Sequence, residues 1–223
     1  MNEYHKIQTL FKRDGKTLLE GQWTLPELEF LAGNTWEFTE KVDGTNIRVM
    51  LNGGGVTFGG KTDSTHIPAQ LVTRLNALFL PLAAKMQEVF GCDACLYGEG
   101  YGAKIQKGGG NYRSDQDFVL FDAKVGDLWL QRADVEEVAQ KLGLDVVPII
   151  GVGTLHDAIA AAKDGIVSTW GSFQAEGIVA RPKTELKTRD GHRIITKIKC
   201  RDFGTTVEFS GEGKRSLTDS AGT

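Results

Sequence analysis

The alternation of hydrophobic and polar residues along the chain predicts more strands than helices. Residues 36–39 and 46–51 alternate as half-buried strands. The glycine run at 52–55 then turns the chain into 56–58, which predicts a β-hairpin. Further strand-like segments lie at 95–101, 118–123, 128–130, 145–150, 177–181 and 193–199.

Helical patterns occur in four places. Thr24-Leu-Pro-Glu27 has the form of a helix start, with Thr24 as the capping residue, and predicts a short helix to Ala32. Residues 68–90 carry apolar positions at helical spacing, and Pro81 is expected to kink or split this helix.

Two capping signals predict the remaining helices. Asp134-x-x-Glu137 begins one helix, and Thr154-x-x-Asp157 begins another that Gly165 ends. Because strands outnumber helices and short turns join several neighbours, we expect an α+β fold of twisted, largely antiparallel sheets.

Composition places the chain among ordinary globular proteins. Its 223 residues are 40% hydrophobic and 25% charged, which excludes a wholly disordered or fibrous protein. No apolar run is long enough to span a bilayer, and the first residues lack a signal-peptide core. The three cysteines form an odd set that fits a reducing compartment, so we expect a cytoplasmic protein without a membrane partner.

The formal net charge of −3 argues against a generic basic surface that coats nucleic acid. Any contact with phosphate must therefore come from a few well-placed cations.

One lysine stands in a setting that suits covalent chemistry. Lys41 follows a hydrophobic strand in the segment Glu40-Lys41-Val-Asp43-Gly44-Thr-Asn46. A deprotonated lysine amine can attack phosphorus or carbonyl centres, and Gly44 lets the backbone turn tightly where a ligand approaches. Taken alone, the segment fits a surface lysine paired with an acidic neighbour at least as well.

This segment resembles the nucleotidyl-acceptor motif of the covalent nucleotidyltransferases, the superfamily of ATP-dependent ligases and mRNA capping enzymes. Four more segments resemble later motifs of that superfamily, in the same order: 96–100 (LYGEG), 118–122 (FVLFD), 175–179 (AEGIV) and 195–199 (ITKIK). The resemblance implies an ATP-grasp-like nucleotidyltransferase (adenylation) domain at residues 1–209. Residues 210–223 are polar and rich in small residues, which predicts a flexible tail, and no C-terminal accessory domain is expected.

The resemblance assigns roles residue by residue. Lys41 is the expected catalytic nucleophile, and Glu176 is the expected ligand of Mg²⁺ or Mn²⁺. The expected ATP-binding residues are Glu40, Asp43, Gly44, Asn46, Lys61, Glu99, Phe121, Lys197 and Lys199.

Several of these roles also suit the residues themselves. Glu99 lies between two glycines, where a carboxylate can accept ribose hydroxyls without crowding the sugar. Phe121 can stack on adenine, with Phe118 as the alternative. Lys197 and Lys199 share one side of a strand and can converge on the α-phosphate.

Within the superfamily, Asn46 and Glu40 look most like the RNA ligase 2 branch, since DNA ligases usually carry arginine at the position of Asn46. That branch implies an ATP-dependent RNA ligase that forms lysyl-AMP, transfers AMP to an RNA 5′-phosphate and joins it to a 3′-hydroxyl. Lys61 stands where arginine is commoner. An accessory protein is expected to replace the missing domain.

The segment 104–113 combines cations, glycines and an aromatic residue. Lys104, Lys107 and Arg113 are candidate RNA contacts, although a solvated loop accounts for the same residues equally well.

Three alternatives remain open from the sequence. One is a DNA ligase-like adenylyltransferase, and another is an inactive RNA-binding domain. The third is a P-loop ATPase, because residues 55–62 fit the P-loop pattern with Lys61 as its lysine. A P-loop lysine must open a helix, however, and 56–58 reads as a strand.

Overall fold

A computed structural model describes residues 3–204. The chain divides into two compact units, each built from separated stretches of sequence. Among the described residues, unit 1 contains 3–5 and 43–147, and unit 2 contains 6–42 and 148–204.

The elements follow one another in this order along the chain. The strands are β1 (Gln8–Thr9), β2 (Phe11–Asp14), β3 (Thr17–Trp23), β4 (Trp36–Lys41), β5 (Thr45–Asn52), β6 (Gly55–Gly59), β7 (Ala94–Gly102), β8 (Gln116–Val125), β9 (Leu128–Trp129), β10 (Ile149–Gly153), β11 (Gly177–Pro182) and β12 (Thr196–Lys199). The helices are α1 (Pro26–Phe30), α2 (Ala69–Phe79), α3 (Ala83–Phe90), α4 (Gly109–Tyr112), α5 (Arg132–Leu142) and α6 (Leu155–Asp164), and a 3₁₀ helix follows at Cys200–Phe203.

Unit 1 is a five-stranded antiparallel sheet with helices on one face. The strand order is β6-β5-β7-β8-β9. Alternate residues of the strands, such as Ile47 and Leu96, form a core with Phe79 of α2, Met86 of α3 and Val135 of α5. The opposite face of the same strands is free to carry polar side chains, because strand residues alternate between faces.

Unit 2 has a second five-stranded sheet, in the order β1-β12-β11-β4-β10. Its pairs are antiparallel except that of β1 with β12. Trp36, Phe38, Ile178 and Ile198 lie on its buried face and pack with residues of α6 such as Leu155. β2 and β3 form a separate two-stranded sheet.

The predicted α+β class with largely antiparallel sheets is confirmed. Pro81 splits the long helical segment, since α2 ends at Phe79 and α3 begins at Ala83. Thr154 caps α6 by accepting the backbone N–H of Asp157 at 3.2 Å, as predicted, and Gly165 follows the last turn.

Three predicted boundaries are wrong. Leu25, not Thr24, is the N-cap of α1, which ends at Phe30. Helix α5 begins at Arg132 because Asp134 occupies its third position in a capping box with Gln131, so Asp134 is not the cap.

The third wrong boundary is that of the strand predicted at 145–150. Val147 donates its N–H to the carbonyl of Leu120 in unit 1, whereas β10 of unit 2 begins at Ile149. Pro148, which has no N–H to donate, separates the two pairings. The predicted strand therefore belongs to two different sheets.

The polar segment predicted at 210–223 lies outside the described residues, and the expected domain boundary at 209 stays a prediction. In residues 3–204, no helix has the length and hydropathy needed to cross a bilayer. Cys92, Cys95 and Cys200 are all free thiols.

We expect Phe79→Ala to destabilise the protein by about 3–5 kcal/mol, because this ring is fully buried and its loss leaves a cavity. The ring centroid of Phe79 lies 5.2 Å from that of Phe118 and 6.1 Å from that of Phe58. Phe30→Ala is the matched control, since that ring is 86% exposed and its removal should change stability by less than about 0.5 kcal/mol. Urea denaturation measures both, and equal effects of the two substitutions would contradict the assigned core.

Candidate active site

Three neighbouring strands of unit 2 bring two lysines and a glutamate together. Lys41 is the last residue of β4, Lys199 is the last residue of β12, and both are paired with Gly177 at the start of β11. Glu176 directly precedes Gly177, and its backbone carbonyl accepts the N–H of Cys200 at 3.1 Å. The strand register therefore places Glu176 between the two lysines.

The carboxylate of Glu176 binds both ammonium groups. Lys41 Nζ lies 2.5 Å from Oε2, and Lys199 Nζ lies 2.5 Å from Oε1. The three side chains are only 20%, 17% and 11% exposed for Lys41, Lys199 and Glu176. One carboxylate thus compensates two cations in a partly buried cluster, which leaves an excess positive charge.

Burial and charge act on Glu176 in opposite directions. Burial raises the pKa of its carboxyl group, but the charge of Lys41 and the hydrogen bonds from both lysines outweigh burial and lower the pKa below the ordinary value. Glu176 is accordingly ionised near neutral pH.

Lys197 belongs to the same face as Lys199. In β12, Thr196 and Ile198 are buried, whereas Lys197 and Lys199 are half-buried on the other side. This confirms the expectation that the two lysines share one side of a strand, and it adds a third cation to the face that carries Lys41.

Glu40 lies on the opposite face from Lys41. Its side chain is 1% exposed, and strand alternation places it with Phe38 and Trp36. Its carboxylate accepts hydrogen bonds from Ser168 Oγ at 2.6 Å and from the N–H and Oγ1 of Thr169 at 2.8 Å each. Glu40 therefore anchors the loop that leads to Glu176, and its expected contact with ATP stays a prediction.

Ser168 and Thr169 were not anticipated from the sequence. Their only local signal is a pair of hydroxyl residues in a loop, and the partner Glu40 lies 128 residues away from Ser168 along the chain.

The face of the unit 1 sheet opposite its helices carries Asn46 and Glu99 as direct cross-strand neighbours. The Asn46 Oδ1 atom is buried without a hydrogen-bond partner among the described residues. A buried acceptor is costly to leave unpaired, which is consistent with a donor supplied by a ligand.

Gly44 permits a close approach at this point. A Cβ atom there would lie 2.3 Å from the carbonyl oxygen of Gly100 and 2.8 Å from Cγ of Glu99. Only glycine fits without displacing the strand that carries Glu99.

Phe121 is turned by a β-bulge. Tyr97 pairs with Asp122 and Gly98 pairs with Leu120, so Phe121 is the extra residue between two regular pairs. Leu120 and Ala123 both lie in the core cluster, whereas Phe121 is half-buried outside it. The alternative residue Phe118 is 3% exposed and belongs to that core. Phe121 is consequently the better candidate for stacking on a base.

Tyr4 of the N-terminal segment packs against Phe121. Tyr4 contacts it edge-on, with ring centroids 5.1 Å apart, and Tyr4 Oη donates a 2.7 Å hydrogen bond to the fully buried Asp122. Trp129 meets Tyr4 at 5.5 Å. The contact of Tyr4 with Asp122 was not expected from the sequence.

Lys61 is exposed in the loop after β6. Arg48, which is 1% exposed, holds this loop by donating to the carbonyl of Gly60 at 2.8 Å and to Asp63 Oδ1 at 2.6 Å. Helix α2 begins only at Ala69, and residues 55–59 form strand β6. The P-loop interpretation is therefore wrong, because its lysine would have to open a helix.

The 104–113 segment is an ordered loop rather than a free arm. Gln106 Nε2 donates to the carbonyl of Gly44 at 3.0 Å, and the N–H of Asp43 donates to Tyr112 Oη at 3.2 Å. Lys104 and Lys107 are exposed. Contact of these two lysines with RNA stays a prediction.

Arg113 differs from these lysines. Its guanidinium donates to the carboxylates of Asp115 and Asp117. Hydrogen bonding to Asp115 raises the pKa of Arg113 despite partial burial. Arg113 is thus balanced by acidic neighbours two and four residues further along the chain, and its expected RNA contact stays a prediction.

A divalent cation would meet few protein ligands here. Within residues 3–204, no cluster of three or more His, Cys, Asp or Glu side chains could enclose a metal ion. Glu176 offers one hard oxygen donor, which fits Mg²⁺ or Mn²⁺ held mainly by phosphate oxygens and water.

Comparisons with known proteins agree with the fold described above. The family model described as RNA ligase matches residues 34–199. No curated protein sequence matches the chain.

Solved structures of a Naegleria gruberi RNA ligase share the fold. A mutant with ATP and Mn is 19% identical with a TM-score of 0.62, over 88% of this chain and 61% of that one. The ligase with PPi is 18% identical with a TM-score of 0.62, over 87% and 59%. A mutant with AMP and Mn is 18% identical with a TM-score of 0.60, also over 87% and 59%. The chain therefore spans about three fifths of the length of these ligases.

The lowered pKa of Glu176 predicts a pH-dependent contribution to stability. A carboxyl group whose pKa falls on folding stabilises the protein above its unfolded pKa of about 4.3, and this contribution is lost as the pH falls through the folded pKa. Wild type should therefore lose unfolding free energy relative to Glu176→Gln as the pH falls below about 4.3. Denaturant titrations at several pH values measure it, with Glu88→Gln on the exposed surface of α3 as the control. A difference independent of pH would contradict the double ion pair.

Proposed function

Because the chain belongs to the RNA ligase family, we propose that it is an ATP-dependent RNA ligase that works through a lysyl-AMP intermediate. The observation that carries the proposal is the cluster of Lys41, Glu176 and Lys199 at the ends of three adjacent strands. A nucleophilic amine, a cation for phosphate and a carboxylate for a metal ion are the groups that nucleotidyl transfer to lysine requires.

In the first step, Lys41 Nζ attacks the α-phosphorus of ATP. A P–N bond forms, the bond between the α-phosphorus and the bridging oxygen breaks, and pyrophosphate leaves with the electron pair. The Lys41 ammonium loses one proton to solvent before the attack, which gives the nucleophilic amine, and the nitrogen loses a second proton to solvent once the P–N bond has formed. Glu176 holds the Lys41 ammonium by an ion pair beforehand, so the amine must leave this partner before it attacks.

Lys199 and Lys197 stabilise charge on the phosphates. Lys199 is already held at its position by Glu176, so little reorganisation is needed when negative charge develops. Glu176 is the residue that would hold Mg²⁺ or Mn²⁺, and such an ion neutralises phosphate charge and polarises the α-phosphate.

The proposed contacts of the nucleoside are three side chains. Glu99 accepts ribose hydroxyls, Asn46 offers its unpaired Oδ1, and Phe121 stacks on adenine. Asp43 and Gly44 shape the turn after Lys41, and Lys61 is the proposed contact of phosphate or the RNA end.

In the later steps, an oxygen of the RNA 5′-phosphate attacks the phosphorus of lysyl-AMP and releases Lys41. The RNA 3′-hydroxyl then attacks the activated 5′-phosphate and displaces AMP. Lys104 and Lys107 are proposed contacts of the RNA, and an accessory protein is a proposed partner in joining.

We expect Lys41→Ala to abolish covalent AMP, because no other residue replaces its amine. Incubation with labelled ATP and Mg²⁺, followed by denaturation and mass spectrometry, detects the adduct. Lys61→Ala is the matched control and should retain it. A label that survives in Lys41→Ala but is lost in Lys61→Ala would overturn the assignment.

Substitutions in the two units should differ in the kinetic parameter that they change. Glu176→Ala and Lys199→Ala remove charges that act on phosphate and metal, and should slow adenylylation roughly a hundredfold or more at saturating ATP. Phe121→Ala should mainly raise the KM for ATP, since the ring contributes to binding of the base. Single-turnover rates across ATP concentrations separate the effects. Normal rates for Glu176→Ala and Lys199→Ala would refute these roles.

A further inference from the structure

A basic hairpin in unit 2 has no role in the site described above. Residues 183–193, which lie between β11 and β12, contain four Lys or Arg and two acidic residues, whereas the whole chain carries a net charge of −3. This is a local concentration of positive charge in an otherwise acidic protein.

Backbone pairing gives the hairpin a defined structure. Lys187 and Arg193 form an antiparallel β-bridge, and the N–H of Ile194 donates to the carbonyl of Leu186 at 3.0 Å. At the tip, Thr188 accepts the N–H of His192 through Oγ1 at 3.1 Å, and Gly191 adopts the positive φ of 87° that closes the turn.

Its acidic residues are engaged within the hairpin. Glu185 binds the guanidinium of the buried Arg193. Asp190 accepts the hydroxyl of Thr188 at 2.5 Å and lies 3.4 Å from His192 Nε2.

The basic residues nearest the solvent are not compensated in this way. Lys183, Lys187 and Arg189 are exposed, and within residues 3–204 their side chains form no ion pair. Three exposed cations therefore follow one another along the hairpin, in the arrangement that neutralises a polyanion.

The hairpin also has a defined place relative to the proposed site. Glu176 and Lys199 lie at one end of the β11–β12 ladder, where Gly177 pairs with Lys199, and the hairpin emerges from the other end. Five residues of β11 separate these ends, which is roughly 17 Å at the rise of a strand. This distance corresponds to about five nucleotides along one nucleic-acid strand.

We propose that the 183–193 hairpin binds the phosphate backbone of the RNA substrate about five or more nucleotides from the joined ends. The inference rests on the proposed ligase function and adds a binding surface to it. Lys187 and Arg189 make the phosphate contacts, and the surface carries no sequence preference because its exposed groups are cations.

The test compares the double variant Lys187→Ala/Arg189→Ala with a control that removes the same charge elsewhere in unit 2. Lys12→Ala/Lys16→Ala is suitable, since both lysines are exposed, Lys12 on β2 and Lys16 in the turn between β2 and β3. Binding of a nicked RNA duplex with arms of about twelve base pairs is measured across a salt series. The slope of log affinity against log salt should fall by roughly two in the hairpin variant and stay unchanged in the control.

Substrate length supplies a second readout. With nicked RNA whose arms are about four base pairs, the hairpin variant should bind like wild type, because the RNA does not reach the hairpin. The charge-retaining variant Lys187→Arg/Arg189→Lys should restore binding to long RNA. Thermal unfolding checks that both variants fold.

Several results would overturn the proposal. These are an unchanged salt slope on long RNA, an equal loss on short RNA, and an equal loss in the control variant. Charge-dependent binding to anionic vesicles without an effect on RNA would assign the surface to a membrane instead. Self-adenylylation with ATP alone should be normal in the hairpin variant, whereas its absence in wild type would indicate failure of the proposed function itself.

Discussion

The ion pairs of Glu176 with Lys41 and Lys199 are the constraint on which the candidate site depends. The carboxylate of Glu176 has low exposure, and each of its oxygens lies 2.5 Å from one lysine Nζ. Without it, the lysines would repel each other in a region poorly screened by solvent. The strand register makes this arrangement possible, because Gly177 is paired with both lysines. A Cβ atom on Gly177 would lie 2.0 Å from the carbonyl of Ile198, so the ladder can close at this point only around glycine.

The cluster is stable but not electrically balanced. The two lysines share the single carboxylate of Glu176. Burial of cations without full compensation is costly, and an anionic ligand relieves that cost. The same features that hold the site together therefore favour binding of phosphate.

Much of the fold could be predicted from local signals. The split at Pro81, the cap at Thr154 and the antiparallel pairing after the glycine run at 52–55 depend on a few neighbouring residues. The choice between Phe118 and Phe121 could not be made in this way, because a bulge interrupts the alternation of β8. The contact of Tyr4 with Asp122 spans 118 residues and leaves no local trace.

Two features of the site were nevertheless accessible to closer reasoning from the sequence. The two-residue period of a strand places the side chain of Glu40 on the opposite face of β4 from that of its neighbour Lys41. Asp115 and Asp117 follow Arg113 closely enough to bind its guanidinium. In both cases, the resemblance to a family identified the candidate residues, whereas the local backbone geometry determines the direction of their side chains.

Under the proposed function, an acidic protein binds a polyanion and must place its positive charge selectively. The cations around Glu176 are largely buried, where salt screens them weakly and each charge acts strongly over short distances. The cations of the 183–193 hairpin are exposed, where each contributes little and salt competes directly. The first kind of site suits chemistry on one phosphate, since it demands fixed geometry. The second suits a long backbone, since many weak contacts allow a substrate to be held without fixing its sequence.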